Sequence, residues 1–143
     1  MSRAKPGRRA RKRLGRVLVV EDDPLLAMAI EAALESAGAL QVILCSSLAS
    51  TMQALESGSP DAVIIDVHLS DRDDGWVVAE LVDLLGPPRP RIVFSTGSPE
   101  AIPPEIAEMG PIFEKPYDPA HLVDALANGA RPGLFARLRG ALP

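Results

Sequence analysis

In Val17-Leu18-Val19-Val20-Glu21-Asp22-Asp23-Pro24, four apolar residues run directly into three acids and a proline. The apolar run has the length and residue types of a strand buried on both faces, as in a parallel sheet covered by helices on each side. Asp23 then offers a helix N-cap, and Pro24 suits the first helical position. A strand that passes straight into a capped helix is the unit of an α/β fold. Here three carboxyl groups stand at the junction.

The same unit recurs downstream. Leu26, Ile30, Ala33, Leu34 and Ala37 fall at helical spacing, and Gly38 stops the helix. Residues 41–45 read as a second strand. Ser47 caps a helix carrying Leu48, Met52 and Leu55 that ends near Gly58. Residues 62–66 are the third strand, followed by a turn-rich stretch over 70–75 and a helix over 76–85 packed by Trp76. Residues 91–95 and 111–114 are the fourth and fifth strands. Asp118-Pro119 repeats the cap signal before a last helix over 121–128. Between the last two strands, Pro99, Pro103 and Pro104 leave room for only a turn or so, so the fourth helix is expected to be short or missing. The alternation predicts a doubly wound α/β fold with a parallel sheet.

At 143 residues, 47% hydrophobic and 24% charged, the chain has the composition of one soluble globular domain. Disorder throughout is excluded, and no apolar run reaches the roughly 18 residues of a membrane span. The single cysteine excludes a disulfide framework or a Cys-based zinc site, and Cys45, inside an apolar stretch, reads as core. The net charge of −4 conceals a split: residues 1–16 carry eight basic side chains and no acid, which leaves seven basic against nineteen acidic groups in the rest. Residues 1–14 read as a disordered basic arm, 15–129 as the folded domain, and 130–143 as a tail. In that tail Leu134, Phe135 and Leu138 suit a short amphipathic helix. The arm is not expected to be a secretory signal, because the apolar run that follows it, Leu18-Val19-Val20, ends in acids; a cytoplasmic protein is expected.

In a parallel α/β sheet the chemistry gathers at the carboxyl ends of the strands. Those ends carry Glu21-Asp22-Asp23, Asp66, Ser95-Thr96 and Lys115-Pro116. Carboxylates crowded together repel unless neutralised, and hard oxygen ligands at that density suit Mg²⁺. A carboxylate nucleophile, a metal, the fixed cation of Lys115 and the hydroxyl of Thr96 are what phosphoryl transfer to an aspartate needs.

Val-Leu-Val-Val-Glu-Asp-Asp-Pro (17–24), Ile-Ile-Asp-Val-His-Leu (64–69), Ser-Thr-Gly (95–97) and Glu-Lys-Pro-Tyr (114–117) together resemble the receiver domain of two-component response regulators, in order and in spacing. The resemblance spans residues 15–129 and implies a flavodoxin-like (βα)5 fold with strand order 2-1-3-4-5. It also implies roles. Asp66 is the phosphoacceptor; Glu21, Asp22, Asp66 and the backbone carbonyl of His68 hold Mg²⁺; Thr96 and Lys115 contact the phosphoryl group; and the bond before Pro116 is cis. The implied function is that of a single-domain response regulator, a phosphoacceptor rather than a turnover enzyme. It would be phosphorylated by a histidine kinase or histidine phosphotransferase and would signal to a downstream protein. Phe94-Ser95-Thr96-Gly97 partly resembles the FATGUY subgroup of such receivers.

Three positions depart from the family pattern. Ser70 stands where proline is usual, and the loop to Gly75 is one residue longer. Ile112 takes the place where many receivers carry a switching aromatic; Phe113, one step along the strand, points to the other face. The expected output is therefore the ordering of 98–110 through Thr96 rather than rotation of an aromatic. The His68 side chain could tune hydrolysis or be a plain loop histidine, and His121 reads as a surface residue. Two other functions stay open. One is a phosphohydrolase of the haloacid-dehalogenase type, against which stands His68 in the place of a second acid. The other is nucleic-acid contact through the basic arm.

Overall fold

A computed structural model describes residues 14–66 and 89–128. The chain runs through β1 (Arg16–Val20), α1 (Pro24–Ser36), β2 (Gln41–Cys45), α2 (Leu48–Glu56) and β3 (Ala62–Asp66). It resumes with β4 (Arg91–Thr96), a 3-10 turn (Pro99–Ala101), α3 (Pro104–Ala107), β5 (Ile112–Glu114) and α4 (Pro119–Asn128). The turn-rich stretch 70–75, the helix expected over 76–85, His68, the tail 130–143 and the arm as far as residue 13 lie outside the described residues.

The five strands form one parallel sheet in the order β2-β1-β3-β4-β5, with β3 at its centre. The order agrees with the flavodoxin-like expectation. The strands alternate in which face they pack. Leu18, Val20, Val63, Ile65, Ile92, Phe94 and Ile112 point into one layer, closed by Ile102 and Ile106 with Leu48 and Leu55 of α2. Val17, Val19, Ile64, Val93 and Phe113 point into the other, against Ile30 and Leu34 of α1 and Leu122, Val123 and Leu126 of α4. Strands buried on both faces are why their sequences read as unbroken apolar runs. Each fully buried aliphatic or aromatic side chain contributes about 1.5–3 kcal/mol.

Local chemistry sets the helix ends. The Asp23 carboxylate accepts from the Leu25 and Leu26 amides at 3.0 and 3.5 Å, with Pro24 at the first position. Ser47 and Ser50 form a reciprocal capping box at α2. Gly38, at φ 95°, takes the left-handed turn that ends α1. The proline-broken segment before β5 holds only the 3-10 turn and the four-residue α3, so the helix expected to be short is short.

Leu14, the last residue of the expected arm, opens the described residues. Leu14 is fully buried in the α1–α4 layer. Arg16, counted with the arm's charges, is a structural residue of β1. Its amide donates to Asp61 at 2.8 Å, and its guanidinium to the Gly58 and Ala54 carbonyls at 2.6 and 3.4 Å. Arg91 does the same for α4, donating to the Leu126 and Ala127 carbonyls at 2.7 and 3.3 Å, where a helix C-terminus favours a cation. Cys45 is buried, as its neighbours imply.

Candidate functional site

The parallel register brings the acidic strand ends to one rim. Val20 pairs with Ile65 and Asp66 with Ser95, so Glu21, following β1, stands beside the end of β3. Glu21 and Asp66 are 3% and 2% exposed, whereas Asp22 lies open to solvent. One carboxylate oxygen from each of Glu21, Asp22 and Asp66 falls within 4.8 Å of the others. Lys115, just past β5, extends into this cluster: its ammonium lies 3.1 Å from Glu21 Oε1 and 3.3 Å from Asp66 Oδ2. It donates to Glu21 Oε2 at 3.2 Å and to Asp66 Oδ2 at 3.3 Å. The Asp23 amide also donates to Glu21 Oε2, at 3.1 Å.

Among the described residues one cation faces three carboxyl groups, and the titration of the acids reflects it. Burial first, then a hydrogen bond with Asp66 and its charge, push Glu21 up to about 7 from 4.5, against the pull of the Asp23 amide and Lys115. Asp22 is raised for related reasons, burial leading and Asp66 following. For Lys115, burial works toward deprotonation, but the charges of Asp66 and Glu21 outweigh it and hold the ammonium protonated beyond its usual range. Glu21 Oε1, though near that ammonium, is buried and accepts no hydrogen bond from the described residues. A buried oxygen without a directional donor, in a set of hard oxygens with surplus negative charge, fits a divalent cation of the magnesium type. Glu21, Asp22 and Asp66 are the described residues that would hold it.

Thr96 ends β4, one residue beyond the Asp66–Ser95 pair, and is fully buried. Its carbonyl accepts from the Lys115 amide at 2.8 Å, which ties the lysine to the strand. Its hydroxyl accepts from the Ser98 amide at 2.9 Å and keeps its own hydrogen to donate. The Lys115–Pro116 bond is cis. Ile112 and Phe113 point into opposite layers of the core, as period-two alternation requires, so no aromatic of β5 shares Thr96's side of the sheet.

One contact beside the site was not legible in the sequence. Ser95 Oγ and Tyr117 OH lie 2.7 Å apart. The Tyr117 ring meets Phe113 edge-on, with centroids 5.8 Å apart and planes at 67°. Burial pushes the Tyr117 hydroxyl up to about 12; the Ser95 bond opposes this, and the charges of Glu21 and Asp66 add to it. The signal was present in the small polar residue between Phe94 and Thr96 and in the hydroxyl of Glu-Lys-Pro-Tyr, but 22 residues separate the partners.

Residues 17–127 match the response regulator receiver domain. The phyllosphere-induced regulator PhyR of Methylorubrum extorquens is 30% identical over 127 residues, which cover 87% of this chain and 47% of that protein. The chain thus spans about half the length of this curated relative. A CheY-like receiver domain from Methylobacillus flagellatus shares the fold at a TM-score of 0.70, with 24% identity over 81% of this chain and 98% of that one. The receiver domain of a sensor histidine kinase from Pseudomonas aeruginosa, solved with magnesium coordinated in its active-site cleft, is 26% identical at a TM-score of 0.65, covering 79% of this chain and 94% of that one.

Proposed function

Because the chain belongs to the response regulator receiver domain family, we propose that it accepts a phosphoryl group on Asp66 from the phosphohistidine of a kinase or phosphotransferase and passes the change on by protein–protein contact. Receiver domains are in general signalling phosphoacceptors rather than turnover enzymes. The observation that carries the reading is the setting of Asp66: buried at the end of the central strand, hydrogen-bonded to Lys115, and beside the carboxylates of Glu21 and Asp22.

The chemistry follows from that setting. An Asp66 oxygen attacks phosphorus in line, the P–N bond to the donor imidazole breaks, and its electron pair leaves with the imidazole nitrogen. Negative charge spreads over the three equatorial oxygens in the transition state. Lys115 supplies a cation already held beside Asp66, fixed before the reaction rather than recruited during it. Thr96 has a hydroxyl hydrogen for one equatorial oxygen. Mg²⁺, held by Glu21, Asp22 and Asp66, would neutralise the crowded carboxylates and screen the incoming phosphoryl charge. Output leaves through the segment following Thr96, whose hydroxyl now carries the Ser98 amide ahead of the 3-10 turn.

The test is labelling by acetyl phosphate and by phosphohistidine donors. The parent should label with Mg²⁺ and not with chelator, and Asp66→Asn should not label. A variant that labels as fully as the parent overturns the assignment. Sustained release of phosphate from small phosphoesters, many per chain, would point instead to a hydrolase.

A further inference from the structure

The Lys115 side chain is a flexible stem with a point charge at its end, so its aim depends on how firmly its root is held. The segment it roots in is tied to β4 at two places. One is the bond from the Lys115 amide to the Thr96 carbonyl, 2.8 Å. The other lies beyond Pro116, which has no amide hydrogen to contribute: Tyr117 OH meets Ser95 Oγ at 2.7 Å. Ser95 is fully buried, and its register partners are Asp66 on one side and Phe113 on the other. The anchor for the lysine's segment is thus the strand position next to the carboxylate that the lysine serves. The ring holds its place through the edge contact with Phe113, which is 4% exposed.

We infer that Tyr117 is a positioning residue for the reaction at Asp66: through Ser95 it clamps the Lys115–Pro116 segment against β4 and so keeps the Lys115 ammonium on the carboxylates. The inference rests on reading Asp66 as the phosphoacceptor. It assigns a role to the aromatic layer on the α1–α4 side of the sheet, where Phe113 lies, in a chain whose other side carries Ile112.

Tyr117→Phe removes one oxygen and keeps the ring; Ser95→Ala removes the other partner; the double variant removes both and leaves no buried hydroxyl unpaired. Initial rates of Asp66 labelling by acetyl phosphate, with saturating Mg²⁺, should fall about three- to tenfold in Tyr117→Phe, the range of one hydrogen bond's worth of alignment. The double variant should fall no further than the single ones. In a Lys115→Ala background the loss on adding Tyr117→Phe should vanish, because the tether then has nothing to aim. A rate unchanged by Tyr117→Phe, or an equal loss with and without Lys115, overturns the inference. Exchange of the Lys115 amide in the unphosphorylated chain supplies a second reading. It should quicken in Tyr117→Phe, and unchanged exchange overturns the tether. If the parent takes no phosphoryl group at all, the assignment of Asp66 fails, and the exchange result still judges the tether separately.

Discussion

Replacing Glu21 by Gln probes the electrostatics of the acidic rim. In the folded, metal-free chain the Glu21 carboxyl is 3% exposed and titrates at about 7 rather than 4.5, chiefly because it is buried and secondly because Asp66 adjoins it. A carboxyl whose folded pKa lies above its unfolded value holds its proton more tightly when the chain is folded. The stability it contributes is fully present below about 4.5 and is lost as the pH rises through 7. At about 1.36 kcal/mol per unit, that displacement corresponds to roughly 3 kcal/mol. Asp22, also raised, adds in the same direction, whereas Lys115, raised from 10.5, is protonated in both states from pH 5 to pH 8 and leaves the slope there unchanged. Without metal the parent should therefore lose roughly 2–3 kcal/mol of stability between pH 5 and pH 8. Glu21→Gln should lose much less and should exceed the parent at pH 8 by about 1–2 kcal/mol. Gln keeps an acceptor for the Asp23 amide but gives up the ion pair with Lys115, which trims the gain. Urea unfolding at a series of pH values in chelator measures this directly. Added Mg²⁺ should then stabilise the parent more than the variant. A metal-free parent that becomes more stable from pH 5 to pH 8, or a variant weaker than the parent at pH 8, refutes the reasoning.

Other consequences can be checked on the same material. Mg²⁺ at a hundredfold excess over its Kd should add about 2.7 kcal/mol of stability, seen as a rise in Tm that Asp66→Asn largely abolishes. Gly110→Ala would set a methyl group against the Ile92 backbone carbonyl, which cannot swing aside, so it should cost at least about 2 kcal/mol in denaturant unfolding. Asp23→Ala removes the α1 cap and should cost about 1 kcal/mol, with no change in Lys115 contacts detectable by amide shifts. Hydrogen exchange over residues 98–110 should slow on phosphorylation of Asp66; protection equal to the core strands beforehand, and unchanged afterward, would send the signal through another face.

What could be read from the chain and what could not divides by range. The run 17–20, buried on both sides, is apolar without alternation, and that alone marks a strand of a covered parallel sheet. Asp23 and Ser47 bond amides two or three residues away, so the starts of α1 and α2 are written where they occur. The prolines at 99, 103 and 104 act on their own backbone, and they confine the helical structure between β4 and β5 to a 3-10 turn and one short helix. Even the split of Ile112 and Phe113 between opposite layers is a matter of adjacent positions on one strand.

The contacts that make a site of these elements join residues far apart in the chain. Lys115 meets Glu21 across 94 positions and Asp66 across 49, and motif order could bring those strand ends together because parallel strands share a rim. No local pattern could pair Ser95 with Tyr117, bury Leu14 against α1 and α4, or turn Arg16 from an arm charge into a clamp on Gly58. Nor could it raise Glu21 to about 7 while leaving Asp22 at the surface, because burial depends on which other segments cover a group. Propensity, capping and alternation act over a few residues and are encoded where they act; desolvation and side-chain pairing depend on the packing of distant segments, and they arise only when the sheet closes.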